Sequence, residues 1–210
     1  MGTSNEAADD GSRPEALEQQ VRRCIEAGDA TGGLALWLRT MGPRVLGFLS
    51  VLMKSEPDAE EAFAVTCERL WRSLPSFRWE CSLETWTYVI ARREAARLRR
   101  GARRHDQGRI TSSALDRVVQ NITSQSRRGA YSERMKVLER LREELREDDR
   151  VILLLRLDRG LAWDEIALLF LSEAAGRSLD ERRREAARVR KRFQTIKDRL
   201  AARVRAEGLL

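Results

Sequence analysis

The sequence predicts an all-α protein of two small helical domains joined by a flexible linker. Three observations lead there. Apolar residues recur at three- and four-residue spacing through residues 14–104 and again through 131–210, the helical period. The stretch 105–130 between them mixes Ser, Thr, Gln, Asn and Gly with only brief apolar clusters. A chain of 210 residues with 42% hydrophobic and 35% charged content can bury two cores of modest size.

Lys and Arg outnumber Asp and Glu by 40 to 33, a formal charge of +7. That balance fits a nucleic-acid partner, and equally a ribosome-associated or membrane-surface protein. Position decides more than the total, because the basic residues gather at the ends of two helical segments. Cys24, Cys67 and Cys81 are odd in number and widely spaced, so they form neither a disulfide framework nor a zinc ligand set, and cytosol is the default compartment. The single histidine, His105, lies in a polar stretch and reads as solvated. No Gly-rich phosphate loop, metal cluster or nucleophile constellation is found, which argues against an enzyme and calls for no cofactor. The N-terminus lacks the apolar core of a signal peptide, and no window reaches the roughly 18 apolar residues of a membrane helix.

Residues 1–13 are small, polar and acidic and read as disordered. Pro14 suits the start of a helix whose stripe is Leu17, Val21, Cys24 and Ile25, stopped by Gly28-Asp29. From Leu34 to Met53 the apolar positions include Leu36, Trp37, Val45, Leu46, Phe48, Leu49 and Leu52. This is either one helix kinked at Gly42-Pro43 or two short ones. Glu56-Pro57-Asp58 marks a turn, with Asp58 as N-cap and Glu61 as its capping-box partner. In the helix that follows, Ala59, Phe63, Thr66, Cys67, Leu70 and Leu74 share the core face. Glu61, Ala64, Val65 and Glu68 share the other, an acidic face with an apolar residue where water is expected, hence a candidate partner surface.

The loop Pro75–Ser82 sets Phe77 and Trp79 beside Arg78, a mixture that stacks on and holds unpaired bases. For Phe77 and Trp79, packing and base stacking are equally compatible with the sequence. The next helix buries Leu83, Trp86, Val89 and Ile90, Trp86 reading as core. It sends Arg92, Arg99 and Arg103, flanked by Arg100, to the far side, with Arg93 and Arg104 in the same basic run. This is a polyanion-facing side. Together these helices make a first domain of residues 14–104. The linker 105–130 has room for short helical turns around Leu115 to Val119.

The second domain, 131–210, opens with Met135, Leu138, Leu141 and Leu145 on one helix. Arg150–Leu157 is a buried second helix closed by Arg159-Gly160, and Leu161 begins a third. Asp180–Arg205 forms a long helix with the stripe Val189, Phe193, Ile196, Leu200 and Val204. Opposite lie Arg184, Arg188, Lys191 and Thr195, flanked by Arg192 and Arg199, with Arg190 in the same run. An arginine-rich helix after a short one is what a helix-turn-helix lays in a major groove, and a solvated surface helix shares the pattern.

Two runs of residues carry a family resemblance. The order Asp58-Ala-Glu-Glu, Glu68-Arg-Leu-Trp71, Phe77-Arg78, Trp86, Ile90-Ala91-Arg92 and Leu98-Arg99-Arg100 resembles region 2 of the sigma-70 family of RNA polymerase sigma factors, in particular its extracytoplasmic-function branch. The chain has Ala64-Val65 where the family usually has Gln-Glu, and Arg93 where it usually has Asn. Asp149-Arg150 through Arg156, Gly160-Leu-Ala-Trp-Asp-Glu165-Ile166-Ala167 and Val189-Arg-Lys-Arg192-Phe193 look like region 4 of the same family. Between Ile166 and Val189 lies about twice the chain a tight helix-turn-helix needs, with residues 171–180 apparently inserted. Either the turn is longer or the recognition helix starts early.

The resemblance implies a non-catalytic initiation factor with core RNA polymerase and promoter DNA as partners, and leaves an anti-sigma factor open as a third. Asp58, Glu61, Ala64, Val65 and Glu68 would meet polymerase. Phe77, Arg78, Trp79, Arg92, Arg93, Arg99, Arg100, Arg103 and Arg104 would serve the −10 element. Arg184, Arg188, Arg190, Lys191, Arg192 and Thr195 would serve the −35 duplex. A stand-alone helix-turn-helix regulator that binds duplex without polymerase, and an RNA-binding adaptor, are the alternatives.

Overall fold

The computed structural model describes residues 12–53, 55–101, 117–122, 144–176 and 178–206, and every regular element among them is helical. The all-α expectation is met. The chain divides into two compact units, Met1–Arg128 and Gly129–Leu210.

In the N-terminal unit, α1 (Ser12–Glu26) ends where Gly28 takes φ +82. The Gly28 N–H donates to the Ile25 carbonyl at 2.9 Å and the Asp29 N–H to the Cys24 carbonyl at 2.8 Å, satisfying two carbonyls the helix would leave open. Asp29 then starts α2 (Ala30–Leu52), its Oδ1 accepting the Gly32 N–H at 2.8 Å. Of the two readings of this stretch, the single helix is found. Pro43 sits inside α2 with its ring exposed, so the carbonyl it fails to satisfy lies toward solvent.

Helix α3 (Glu56–Ser73) is capped by Ser55, whose Oγ accepts the Asp58 N–H at 3.2 Å. Asp58 is therefore not the N-cap expected from sequence. Pro57 fits only the first turn, which pushes the cap back to the hydroxyl residue before Glu56. A 3₁₀ turn (Leu74–Ser76) leads through the aromatic loop into α4 (Leu83–Arg99), which closes at Gly101 with φ +75. α2 packs on α1, α3 and α4, and α3 packs on α4. All six residues assigned to the core face of α3 are buried, and Ala62 joins them.

Two tryptophans tie the helices together through their indole N–H groups. Trp37 Nε1 of α2 donates to Thr87 Oγ1 of α4 at 3.1 Å, and Trp71 Nε1 of α3 donates to Thr31 Oγ1 at 3.0 Å. Thr87 in turn donates to the Leu83 carbonyl at 2.7 Å, so this buried hydroxyl is used both ways. Phe48 and Tyr88 meet edge-on at 5.1 Å between them, and both are fully buried.

Burial pushes the Cys67 thiol up, well above the usual thiol range, whereas Cys24 and Cys81 are partly exposed. We expect an alkylating reagent at neutral pH to label Cys24 and Cys81 in the folded chain and Cys67 only after unfolding. The sign of the pH effect follows. Cys67 leaves stability untouched below the unfolded thiol's value of about 8.5. Above it the unfolded chain ionises first, and the bundle loses stability as pH climbs toward the folded value. Equal labelling of all three thiols in the folded state would contradict this burial.

Residues 117–122 are helical (α5) and belong to the N-terminal unit although they lie in the stretch read as linker. Val118 and Ile122, one turn apart, are buried and tie these residues to the unit's core. A Cβ on Gly42 would lie 2.4 Å from Ile122 Cδ1 and 3.5 Å from Phe63 Cζ, so the bare glycine of α2 forms the notch that Ile122 fills. Gly42→Ala gains about 1 kcal/mol of helix propensity and evicts a flexible side-chain end. Its expected result is an unchanged bundle melting temperature, within a few degrees, with amide protection across 117–122 lowered about tenfold. Protection equal to wild type would show that the notch does not hold α5.

In the C-terminal unit, α6 (Glu147–Leu153) continues into a π turn (Leu154–Asp158) that ends at Gly160, φ +71. α7 (Trp163–Phe170) follows, then a single turn α8 (Glu173–Gly176), then α9 (Leu179–Ala206), 28 residues and about 42 Å long. The Ala162 N–H is taken by Glu165 Oε2 at 3.0 Å, one half of a capping box. Both features expected of residues 171–180 are present in part: α8 lengthens the turn, and α9 begins early, at Leu179. The core joins Val151–Leu155, Leu161, Ile166, Ala167 and Leu169 to Val189, Phe193 and Ile196 of α9, where Trp163 meets Phe193 edge-on at 5.1 Å. Arg156 lies over Trp163 at 4.6 Å and donates to the Leu161 carbonyl at 2.8 Å, holding the α6–α7 corner. The expected helix over Met135, Leu138 and Leu141 lies outside the described residues, as do 1–11, Arg103, Arg104 and His105. Among the described residues no helix is long and apolar enough to cross a membrane.

Candidate nucleic-acid interface

The loop between α3 and α4 places three aromatic rings in contact. Phe77 lies against Trp86 with centroids 4.4 Å apart at 24°, and against Trp79 at 4.8 Å and 54°. Trp86, read from sequence as core, is only half-buried and belongs to this surface cluster. Its stripe position is taken by Tyr88, Thr87 and Thr85, whose polar groups hid them from an apolar count. Trp79 has φ +56, a left-handed conformation that costs a bulky residue about 1–3 kcal/mol and persists only where neighbours hold it. The neighbours are Phe77 on one side and, from α1, the Arg22 guanidinium 5.2 Å from the ring centroid. Arg78 is exposed and pairs with Glu80 at 2.8 Å.

The start of α4 is fixed twice. Ser82 Oγ accepts the Thr85 N–H at 3.2 Å, and Glu18 Oε2 of α1 accepts the Leu83 N–H at 2.8 Å. From there α4 carries Arg92, Arg93, Arg99 and Arg100 within about a third of its circumference. Trp86 and Arg93 are seven residues apart, so the aromatic cluster shares a side of α4 with Arg93 and Arg100, about 10 Å along, while Arg92 and Arg99 lie about a third of a turn round from it. Arg93 and Arg100 are exposed and Arg92 is half-buried. Arg99 also holds the fold, its Nη1 donating to the Leu52 carbonyl at the end of α2 at 3.3 Å. Arg99 and Arg100, at the end of the helix, face its negative pole, which offsets part of their mutual repulsion. Glu94, buried among them, stands 3.6 Å from Arg97.

On α3 the outward surface carries Glu61 and Ala64 exposed and Asp58, Val65 and Glu68 half-buried. Glu68 pairs with Arg72 at 2.7 Å one turn on. The surface is thus acidic, with two small apolar side chains between the acids.

On α9, Arg184, Arg188, Arg190, Lys191 and Thr195 are exposed. Arg188 pairs with Glu185 at 3.1 Å, and the Thr195 hydroxyl donates to the Lys191 carbonyl at 3.3 Å. Arg190 lies on the flank beyond Lys191. Arg192, expected beside the outward face, is instead turned toward α6: its Nε donates to Asp149 Oδ1, and Nη1 lies 3.3 Å from Asp148 Oδ2. Asp149 is 5% exposed, and burying its charge requires that partner. This clamp was not legible as a contact between residues 43 positions apart. Among the described residues no group of His, Cys, Asp and Glu is arranged to hold a metal.

Residues 37–105 match the family model for sigma-70 region 2, a span that takes in most of α2 and all of α3, the aromatic loop and α4. The match spans about a third of the chain and supports a role in transcription initiation of the kind sigma-70 factors have. Binding to core RNA polymerase and promoter DNA is what that region implies. No curated protein matches the chain.

Proposed function

We propose that the chain is a sigma factor of the extracytoplasmic-function type that recruits core RNA polymerase and opens promoters without catalysing a reaction. Polymerase docks on the outward surface of α3, from Asp58 through Glu61, Ala64 and Val65 to Glu68. The Phe77–Ser82 loop captures an unstacked base of the −10 element, and Arg92, Arg93, Arg99 and Arg100, continued by Arg103 and Arg104, run along the adjoining phosphates. The α9 face of Arg184, Arg188, Lys191 and Thr195 enters the −35 major groove, with Arg190 on its flank and Arg192 bracing the helix from behind.

The observation that carries this reading is the continuity of the Phe77–Trp79–Trp86 cluster with Arg93 and Arg100 along one side of α4. A stacking platform that runs into a basic track suits single-stranded nucleic acid, whereas a duplex reader needs no exposed aromatic platform. Unstacking a base costs a few kcal/mol. Stacking on an aromatic returns about 1–3 kcal/mol per base, and phosphate neutralisation supplies the rest. Co-purification of the chain with core polymerase at low salt, followed by run-off transcription from promoter DNA, tests the proposal. Tight, salt-sensitive binding to duplex alone with no polymerase association would instead favour the stand-alone regulator.

A further inference from the structure

Helix α1 lies outside the residues that match sigma-70 region 2, yet it builds one wall of the aromatic site. A cleft of about 420 Å³ opens between them, lined by Glu18, Gln19 and Arg22 of α1 and by Trp79, Cys81 and Glu84 across from it. Its volume falls in the range of small-molecule sites and leaves room for one nucleotide. The two walls are joined at two points. Glu18 caps the first N–H of α4 at 2.8 Å, and Arg22 lies over Trp79 at 5.2 Å. Trp79 is the residue in the left-handed conformation, so the side chain most in need of support is the one α1 braces. Arg22 also pairs with Glu26 at 3.2 Å, and that exposed pair binds it weakly.

We propose that α1 is part of the single-strand site: the cleft takes one unpaired nucleotide, Arg22 positions Trp79 and faces the nucleotide's phosphate, and Gln19 meets the edge of its base. This rests on the base-capture reading of the loop given above. The chemistry suits the ligand. A guanidinium serves a phosphate, and a carboxamide offers both a donor and an acceptor to a base edge. The acids of the same cleft, Glu18 and Glu84, disfavour a second phosphate there, which limits the occupant to one nucleotide.

The test uses the full chain with core polymerase and promoter fragments in which 2-aminopurine is walked through the −10 element. Wild type should give a fluorescence rise at one position, the captured base. Arg22→Ala should lower that rise about tenfold with melting temperature and polymerase co-purification unchanged, and Arg22→Lys should restore part of it through charge alone. Gln19→Ala is the second arm, because alanine is the better helix former at that exposed position and the fold is retained. It should flatten the preference among bases at the captured position about threefold. Wild-type signals from both Arg22→Ala and Gln19→Ala would overturn the role of α1. A wild-type chain that gives no rise at any position would sink base capture itself, and this inference with it.

Discussion

Trp79→Ala will lower promoter opening about 10- to 100-fold while leaving binding to core polymerase and to −35 duplex intact. The ring is half-exposed, it meets Phe77 at a tilt, and no element of the core depends on it, so its loss takes away a base platform without unpacking the bundle. Alanine keeps the Cβ at φ +56, so the backbone strain at this position is left as it was. A fold in which Trp79 served only packing would melt lower after this change; the platform predicts a melting temperature close to wild type. Permanganate reactivity of thymines in the −10 element reads the opening directly. Reactivity equal to wild type, or a melting temperature several degrees lower, would contradict the assignment. Phe77→Ala should be worse, since it removes both the 4.4 Å and the 4.8 Å ring contacts and lets Trp79 and Trp86 collapse together.

Asp149→Ala will destabilise the C-terminal unit by about 2–4 kcal/mol, the lower part of the cost of breaking a buried charge pair because Arg192 keeps some contact with solvent. For a unit this small that is a fall of roughly 10–25 °C in melting temperature. The carboxylate is 5% exposed and joins α6 to α9 through Arg192, so its loss leaves a guanidinium beside a cavity and the long helix without its anchor. The double change Asp149→Ala with Arg192→Met should recover much of the loss, because removing both charges leaves neither unpaired. Duplex binding by α9 should fall with the single change and return in part with the double. A melting temperature within two degrees of wild type for Asp149→Ala, measured by calorimetry, would remove Arg192 from its bracing role.

How much of this was legible beforehand depends on which residues carry the signal. The core face of α3 could be read because its positions keep the helical period with Thr66 the one polar member, and the structure buries every one. The α4 stripe could not be read so well. There Thr85, Thr87, Tyr88 and Glu94 occupy buried positions, each with a polar group that must find a partner, and hydropathy alone discounts them. The cap of α3 was misplaced for a related reason: Asp58 and Glu61 have capping-box spacing, but Pro57 is restricted to the first turn, and that restriction selects Ser55.

Within the site, Phe77, Arg78 and Trp79 stood out as an aromatic-basic loop, and Trp86 did not, because a tryptophan on an apolar stripe reads as core. The contributions of Glu18 and Arg22 were not legible, since contacts across more than fifty residues leave no mark on local pattern. A faint trace existed for α5. Val118 and Ile122 stand one turn apart in a polar stretch, and a bare Gly42 inside a long helix calls for some reason to lack a side chain.

The central claim is that this chain, through its α3 surface and its aromatic loop, turns core RNA polymerase into a promoter-specific enzyme. Transcription from a library of genomic fragments by core polymerase, with and without the chain, measures that most directly. The expected result is a set of transcripts that appears only with the chain, begins a fixed distance downstream of a shared pair of sequence elements, and is lost with Trp79→Ala. Identical transcript profiles with and without the chain, at concentrations where it co-purifies with polymerase, would contradict it.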